Sequence, residues 1–242
     1  MIICRCRRRM STVACFAERR VNMKITAVIA AAGSGTRMGK GNKLLIPING
    51  KTVIERTLEA FQKSEYINEI VLVTSPEGEI ARLARSFSKV THIVEGAQTR
   101  AESVRRGIDF ADGCDYIAVS DGARPFVSCE LIMRIAESAK KNGAAVPCIP
   151  LTDTVKDVDN GKIEKTLDRS RLFGAQTPQI FRKELLRLAY EKCGDGVTDE
   201  SSAVEKIQPV AYVEGDPDNI KLTTEFDLVI AGEIAKKKDR FQ

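Results

Sequence analysis

The sequence predicts an α/β fold: a single Rossmann-like domain of three α/β/α layers around a mostly parallel sheet, with a projecting β-hairpin arm. Three observations predict it. Continuous apolar, β-branched runs alternate with amphipathic segments of helical period. A glycine-rich stretch, "AAAGSGTRMGKGNK" (30–43), directly follows the first of those runs. The alternation then breaks at 152–169, where a period-two pattern flanks Asn160-Gly161, a strong short-range hairpin signal.

Each element follows from its own residues. "ITAVIAA" (25–31) is uninterrupted and β-branched, as a strand covered on both faces should be. "TVIERTLEAFQ" (52–62) sets Val53, Ile54, Leu58 and Phe61 on one helical face. Strands are predicted at 69–74, 91–96, 116–120 and 144–150, and helices at 77–87, 99–111 and 129–143. Gly143 is a suitable residue to end the last of these helices. The strand–helix repeat implies an open parallel sheet with right-handed crossovers. The hairpin turn is polar, so it should project, as part of an arm at about 150–174. Its apolar side chains, Val155, Ile163 and Leu167, would need the cover that a second subunit supplies. Helices near 182–192 and 199–206, a strand at 209–215 and a helix at 223–238 complete the chain. Thr223 or Thr224 would cap the last helix.

Composition removes several functions. With 242 residues, 43% hydrophobic, the chain can bury a core without staples. Trp is absent and aromatics are 5%, too few for a base-stacking surface. The net charge of +5 resides in residues 1–22, where six arginines face Glu18 alone. Residues 23–242 are neutral, which argues against a nucleic-acid partner. Three readings stand for the 1–22 leader: a translation artefact upstream of Met23, a disordered basic arm, or a targeting peptide. It has no apolar core following its charges, so it is not a secretory signal. No run approaches 18 apolar residues, so no membrane span is expected. Cys114, Cys129, Cys148 and Cys193 lack metal-ligand spacing and read as reduced thiols of a cytoplasmic protein. The single histidine, His92, reads as a satisfied strand residue, which excludes histidine triads and multi-histidine zinc sites.

The loop at 30–43 sits where backbone N–H groups at a strand-to-helix junction face an anion. It is not the dinucleotide fingerprint, because Met38 stands where the third glycine is required. It is not a P-loop either, because Ser34 and Gly41 break that pattern at both ends. What remains is G-x-G-T-R-M, with Lys43 six residues beyond Arg37. Two cations in a loop of backbone donors suit nucleotidyl transfer, where charge grows on the oxygens around the α-phosphorus.

This loop resembles the signature of the sugar-nucleotidyltransferase superfamily. Six further blocks follow in order: "GAQTRAESVRRGI" (96–108), "VSDGARPFV" (119–127), "PLTDTVK" (150–156), "LDRSRLFGAQTPQIF" (167–181), "VTDESSAVE" (197–205) and "VEGDPDNIKLTTEFDL" (213–228). Together they resemble the 2-C-methyl-D-erythritol 4-phosphate cytidylyltransferase family, of the non-mevalonate route to isoprenoid precursors, from residue 24 to about 236.

The resemblance implies CTP and a polyol phosphate as substrates, magnesium or another divalent cation, and a homodimer. It places Ala31, Ala32, Gly33, Ser34 and Gly35 around the triphosphate, with Arg37 and Lys43 stabilising the transition state. Ala97, Gln98 and Ser103 would read cytosine. Asp121 would bind the metal and nearby hydroxyls, beside Gly122 and Arg124. Thr154, Arg169 and Thr177 would bind the polyol phosphate, the arm crossing to the partner's site, and Thr198 and Lys221 would complete that side. Lys221 would hold the attacking phosphate, and Asp218 is a second candidate metal contact. Two stretches depart from the family's usual pattern: Asn42-Lys43-Leu44 where Pro-Lys-Gln is common, and Ser120-Asp121-Gly122 where His-Asp-Ala is common.

Three other readings compete. A ribitol-5-phosphate cytidylyltransferase shares the fold and chemistry, although "TDESSAVE" resembles the methylerythritol family more. A different nucleotidyltransferase would differ in the base or sugar phosphate it accepts. A binding protein on a dead enzyme fold conflicts with the intact Arg37, Lys43, Asp121 and Lys221.

Overall fold

The computed structural model describes residues 23–33, 42–193 and 199–240. The central sheet is built on β1 (Ile25–Ala30), β4 (Glu69–Val73), β5 (Val90–Val94) and β6 (Tyr116–Asp121), all parallel in the order β6-β1-β4-β5. β7 (Ala144–Pro150) continues the sheet beyond an antiparallel strand, β11 (Gln179–Arg182), which pairs with both β6 and β7. β10 (Phe173–Ala175) extends the same antiparallel run along β7, with the pairing offset by two residues between them. β12 (Ala211–Glu214) pairs parallel with β7. Ala145 pairs with both Ile180 and Ala211, so β11 and β12 occupy opposite edges of β7.

Alternation along the strands divides the core into two layers. Ile25, Ala27 and Ile29 of β1, with Ile70 and Leu72 of β4, pack under α1 (Val53–Lys63), α2 (Glu79–Ala84), α4 (Cys129–Asn142) and α7 (Glu225–Asp239). Val28, Val71, Val73, Ile117 and Val119 face the other way, onto α3 (Arg100–Asp109), α5 (Lys183–Cys193) and α6 (Glu200–Val204). The face predicted for α1 is the buried one: Val53, Ile54, Leu58 and Phe61 are all fully buried.

Local signals explain the boundaries. Thr52 and Glu55 form a reciprocal capping box on α1, and Thr99 and Glu102 form another on α3. Gly143 closes α4 in the left-handed region, with φ of 80°. Of the two threonines predicted to cap the last helix, Thr224 occupies the cap, and Asp227 accepts from the N–H groups of both Thr223 and Thr224. β8 (Lys156–Asp159) and β9 (Lys162–Thr166) form their own two-stranded sheet, every residue of it exposed. Asn160 and Gly161 both take positive φ between them, the turn that matches strand twist. Of the apolar residues predicted on this hairpin, Ile163 is exposed, whereas Val155 and Leu167 are half-buried at its foot and joined by a backbone hydrogen bond of 3.0 Å. Val158, opposite Ile163, is the further exposed apolar side chain.

Several elements go beyond the sequence expectation. β10 and β11 fall in 170–182, where no strand is expected, and a small ribbon of β2 (Pro47–Ile48) and β3 (Lys51–Thr52) precedes α1. His92 is a strand residue as predicted, but on the surface: it is exposed, hydrogen-bonds the Thr91 hydroxyl and lies against Phe110. The four cysteines among the described residues are free.

Candidate active site

The carboxyl ends of β1 and β6 lie in register, Ala30 opposite Asp121, at the edge where open α/β sheets bind ligands. The chain leaves β1 through Ala31, whose N–H donates to Val73 O at 2.8 Å, into the exposed Ala32 and Gly33. Ser34, Gly35 and Arg37 lie outside the described residues, as does Thr198.

The segment 96–103 packs directly beside that exit. A Cβ on Gly96 would stand 2.2 Å from the Ala32 Cβ, so only glycine allows this approach. Ser103, buried on α3, accepts the Ala97 N–H through its Oγ at 2.9 Å and fixes the turn, while Gln98 remains exposed. Arg106 Nη1 donates to Gly96 O at 2.8 Å. A cleft of about 460 Å³ runs along α3, lined by Ala97, Gln98, Glu102, Arg105, Arg106 and Asp109. The turn that holds Ala97 against Ser103 therefore packs beside Ala32, where the chain leaves β1.

Asp121 is the centre of a second group. It is 7% exposed and faces three cations. Arg100 Nε reaches Oδ1 at 3.0 Å, Lys221 Nζ reaches Oδ2 at 2.9 Å, and Arg124 Nε lies 3.8 Å from Oδ2. Burial pushes the Asp121 carboxyl up, but Arg100 and Lys221, as charges and as donors, outweigh it and hold the pKa at about 2. Burial pulls the Arg124 pKa down, with the Arg100 charge adding to the effect against Asp121. Arg124 is fixed by donating to Asn219 O at 2.7 Å. Thr177 is buried; its Oγ1 accepts the Asp121 N–H at 3.1 Å and lies 3.3 Å from Ser120 Oγ. Gly122, also buried, donates its N–H to Ala30 O and accepts the Thr57 hydroxyl on its own carbonyl. Ser120 and Gly122, which depart from the family pattern in this stretch, thus have defined partners.

Lys43 joins this group through the segment after Lys221. Asn42 caps the short 3-10 turn Lys43–Leu45 by accepting the Leu44 N–H, and Leu44 is buried, which anchors the turn. Lys43 Nζ donates to Leu222 O at 2.8 Å, and the Leu222 N–H donates to Ala123 O at 2.9 Å. Lys43, Lys221, Asp121 and Arg124 therefore converge on one end of β6.

Other predicted residues stand apart. Thr154 and Arg169 are exposed at the foot of the hairpin, where Arg169 donates to Thr152 O, and neither belongs to the Asp121 group. Asp218 pairs with Lys237 at 3.7 Å, and among the described residues no three metal-capable side chains cluster. Arg100, Glu200, Tyr190 and Asn219 are not singled out by the sequence. Arg100 and Glu200 stand within "GAQTRAES" and "VTDESSAVE", but their pairing across the fold leaves no local pattern.

Comparison with known proteins agrees with this geometry. Residues 25–237 match the family described as IspD: 2-C-methyl-D-erythritol 4-phosphate cytidylyltransferase. A protein of that name from Dehalococcoides mccartyi is 41% identical over 226 residues, covering 91% of this chain and 99% of the relative. Another, from Geobacillus thermodenitrificans, is 41% identical over 218 residues, covering 86% and 96%. The crystal structure of 4-diphosphocytidyl-2C-methyl-D-erythritol synthase from Anaerococcus prevotii superposes with a TM-score of 0.79 at 32% identity, covering 88% of this chain and 96% of that one. That of the Thermus thermophilus cytidylyltransferase gives 0.72 at 31% identity, covering 86% and 98%. With residues 25–237 matched by the family, relatives 41% identical over nearly their whole length and solved structures of the same fold, the chain belongs to the 2-C-methyl-D-erythritol 4-phosphate cytidylyltransferase family.

Proposed function

We propose that this enzyme transfers CMP from CTP to the phosphate of 2-C-methyl-D-erythritol 4-phosphate and releases pyrophosphate. The observation that carries the reading is the buried Asp121 at the carboxyl end of β6, faced by Arg100, Lys221 and Arg124, with Lys43 held nearby on the carbonyl of Leu222, the residue after Lys221. A phosphate oxygen of the substrate attacks the α-phosphorus of CTP. The new P–O bond forms as the bond to the bridging oxygen of the β-phosphate breaks, and pyrophosphate leaves with those electrons. The second ionisation of a phosphate monoester lies near pH ~6, so the nucleophile is already an anion and no general base is required. Catalysis is positioning together with charge neutralisation.

The residues divide this work. Lys43, with Arg37, would meet charge around the α-phosphorus. Lys221 is 40% exposed along its side chain, so it can turn from Asp121 to the incoming phosphate. Ala97, Gln98 and Ser103 would hold the base through backbone groups. Asp121 fits magnesium: it is a hard oxygen donor, held ionised, and such a site needs only one carboxylate besides the nucleotide phosphates. The ion would supply charge neutralisation to the triphosphate. The exposed Val158 and Ile163 support a homodimer in which the arm carries Thr154 and Arg169 to the partner's site.

The methylerythritol reading is preferred over ribitol phosphate because the matched family and the relatives above carry that name. The test is pyrophosphate release from CTP and magnesium with each phosphate in turn. Release with methylerythritol phosphate and little with ribitol 5-phosphate is expected; the reverse preference, or none with either, overturns it.

A further inference from the structure

Glu200 is the most deeply buried acid of the site, at 0% exposure, and the transfer reaction assigns it no task. A buried carboxylate persists only where it is paired. Its partner is Arg100, which forks onto it: Nη1 lies 2.9 Å from Oε1 and 3.2 Å from Oε2, and Nη2 lies 3.1 Å from Oε2. The Tyr190 hydroxyl donates to Oε1 at 3.1 Å. The remaining nitrogen of the same guanidinium, Nε, is the one that reaches Asp121 Oδ1 at 3.0 Å.

Glu200 is itself placed by the sheet. Gln179 of β11 donates from Nε2 to Asp199 at 2.8 Å and accepts the Ser201 N–H at 3.1 Å, gripping the residues on either side of Glu200. A planar guanidinium with two nitrogens fixed has its third fixed as well. Lys221, the strong donor on the other Asp121 oxygen, is partly exposed on a flexible stem and defines no plane.

We infer that Arg100, set by Glu200 and Tyr190, is a positioning residue: it fixes the orientation of the Asp121 carboxylate when Lys221 leaves it for substrate. This rests on the proposed function only for the role of Asp121. Arg100 acts through Asp121 alone, so its removal should matter only while that carboxylate is present.

A double-mutant cycle tests this. Arg100→Met with Glu200→Gln removes the pair without stranding a buried charge, and the amide so introduced can still meet the Tyr190 hydroxyl. In the wild-type background this variant should lower kcat/KM, and weaken CTP binding measured by calorimetry with magnesium, by ~10- to 100-fold, the range for outer partners of a ligating group. In the Asp121→Asn background the same change should alter both by less than about twofold. Arg100→Lys keeps the charge but cannot fork, and should show a loss of both as well. Equal losses in both backgrounds, or an Arg100→Lys enzyme as active as wild type, overturn the inference. Absence of pyrophosphate release by the unmodified enzyme would instead count against the proposed function, leaving the calorimetric cycle readable.

Discussion

Under the proposed function, Lys43 and Lys221 are the two described residues that would meet the reacting phosphates most directly. Lys43→Ala should reduce turnover by ~10²- to 10³-fold, the scale for losing one preorganised stabiliser of developing charge, without a matching shift in thermal midpoint. Initial rates of pyrophosphate release check this, and near-normal turnover would remove Lys43 from the mechanism. Gly96→Ala would drive a methyl into Ala32 and push the turn proposed to hold the base off the loop exit. It should raise the KM for CTP well before it affects the KM for the polyol phosphate. At this scale the sequence singled out Lys43 and Asp121 because each stands in a short block with concentrated charge, and the structure places both near the carboxyl end of β6. Arg100 and Glu200 were not legible. An arginine in the first turn of a helix reads as solvated, and its acid lies 100 positions away.

Among elements, α6 shows how a short helix can place one side chain. Asp199 caps it, accepting the Ser202 N–H at 3.0 Å, and Gln179 and the Ser201 hydroxyl hold the same carboxylate. Burial pushes the Asp199 pKa up, but these hydrogen bonds outweigh it and the net shift is downward. A lowered folded pKa means that the contribution is complete above the ordinary value of ~3.9 and is lost as pH falls through the folded value. Asp199→Ala should therefore cost about 1 kcal/mol at neutral pH, as lost caps do. In urea melts the gap to wild type should close on acidification below pH ~4; a gap that widened there would contradict the assignment. The long periodic helices and β-branched strands were readable because their pattern repeats within one element. β10 and β11 were not, being three and four residues long and separated by Gln176, Thr177 and Pro178. Only pairing with distant β6 and β7 makes them strands.

For the whole molecule, the alternating runs specified a parallel sheet between two helical layers, and the structure has it, with one antiparallel run inserted between β6 and β7. The hairpin was legible from Asn160-Gly161, because both residues tolerate the positive φ that the turn demands. The proposed homodimer would cover the exposed Val158 and Ile163. Ile163→Asp should convert a dimer to a monomer in sedimentation velocity while leaving the circular dichroism spectrum unchanged. If the arm completes the neighbouring site, activity should fall with the dimer fraction and recover in mixtures with a site-dead, arm-intact partner. A dimer unaffected by that change would place the interface elsewhere.

The bond from Lys43 to the Leu222 carbonyl spans 179 positions. Two distant stretches of chain must therefore meet before this ammonium has its carbonyl. If Lys43 serves as proposed, fragments truncated ahead of Leu222 should release no pyrophosphate from CTP.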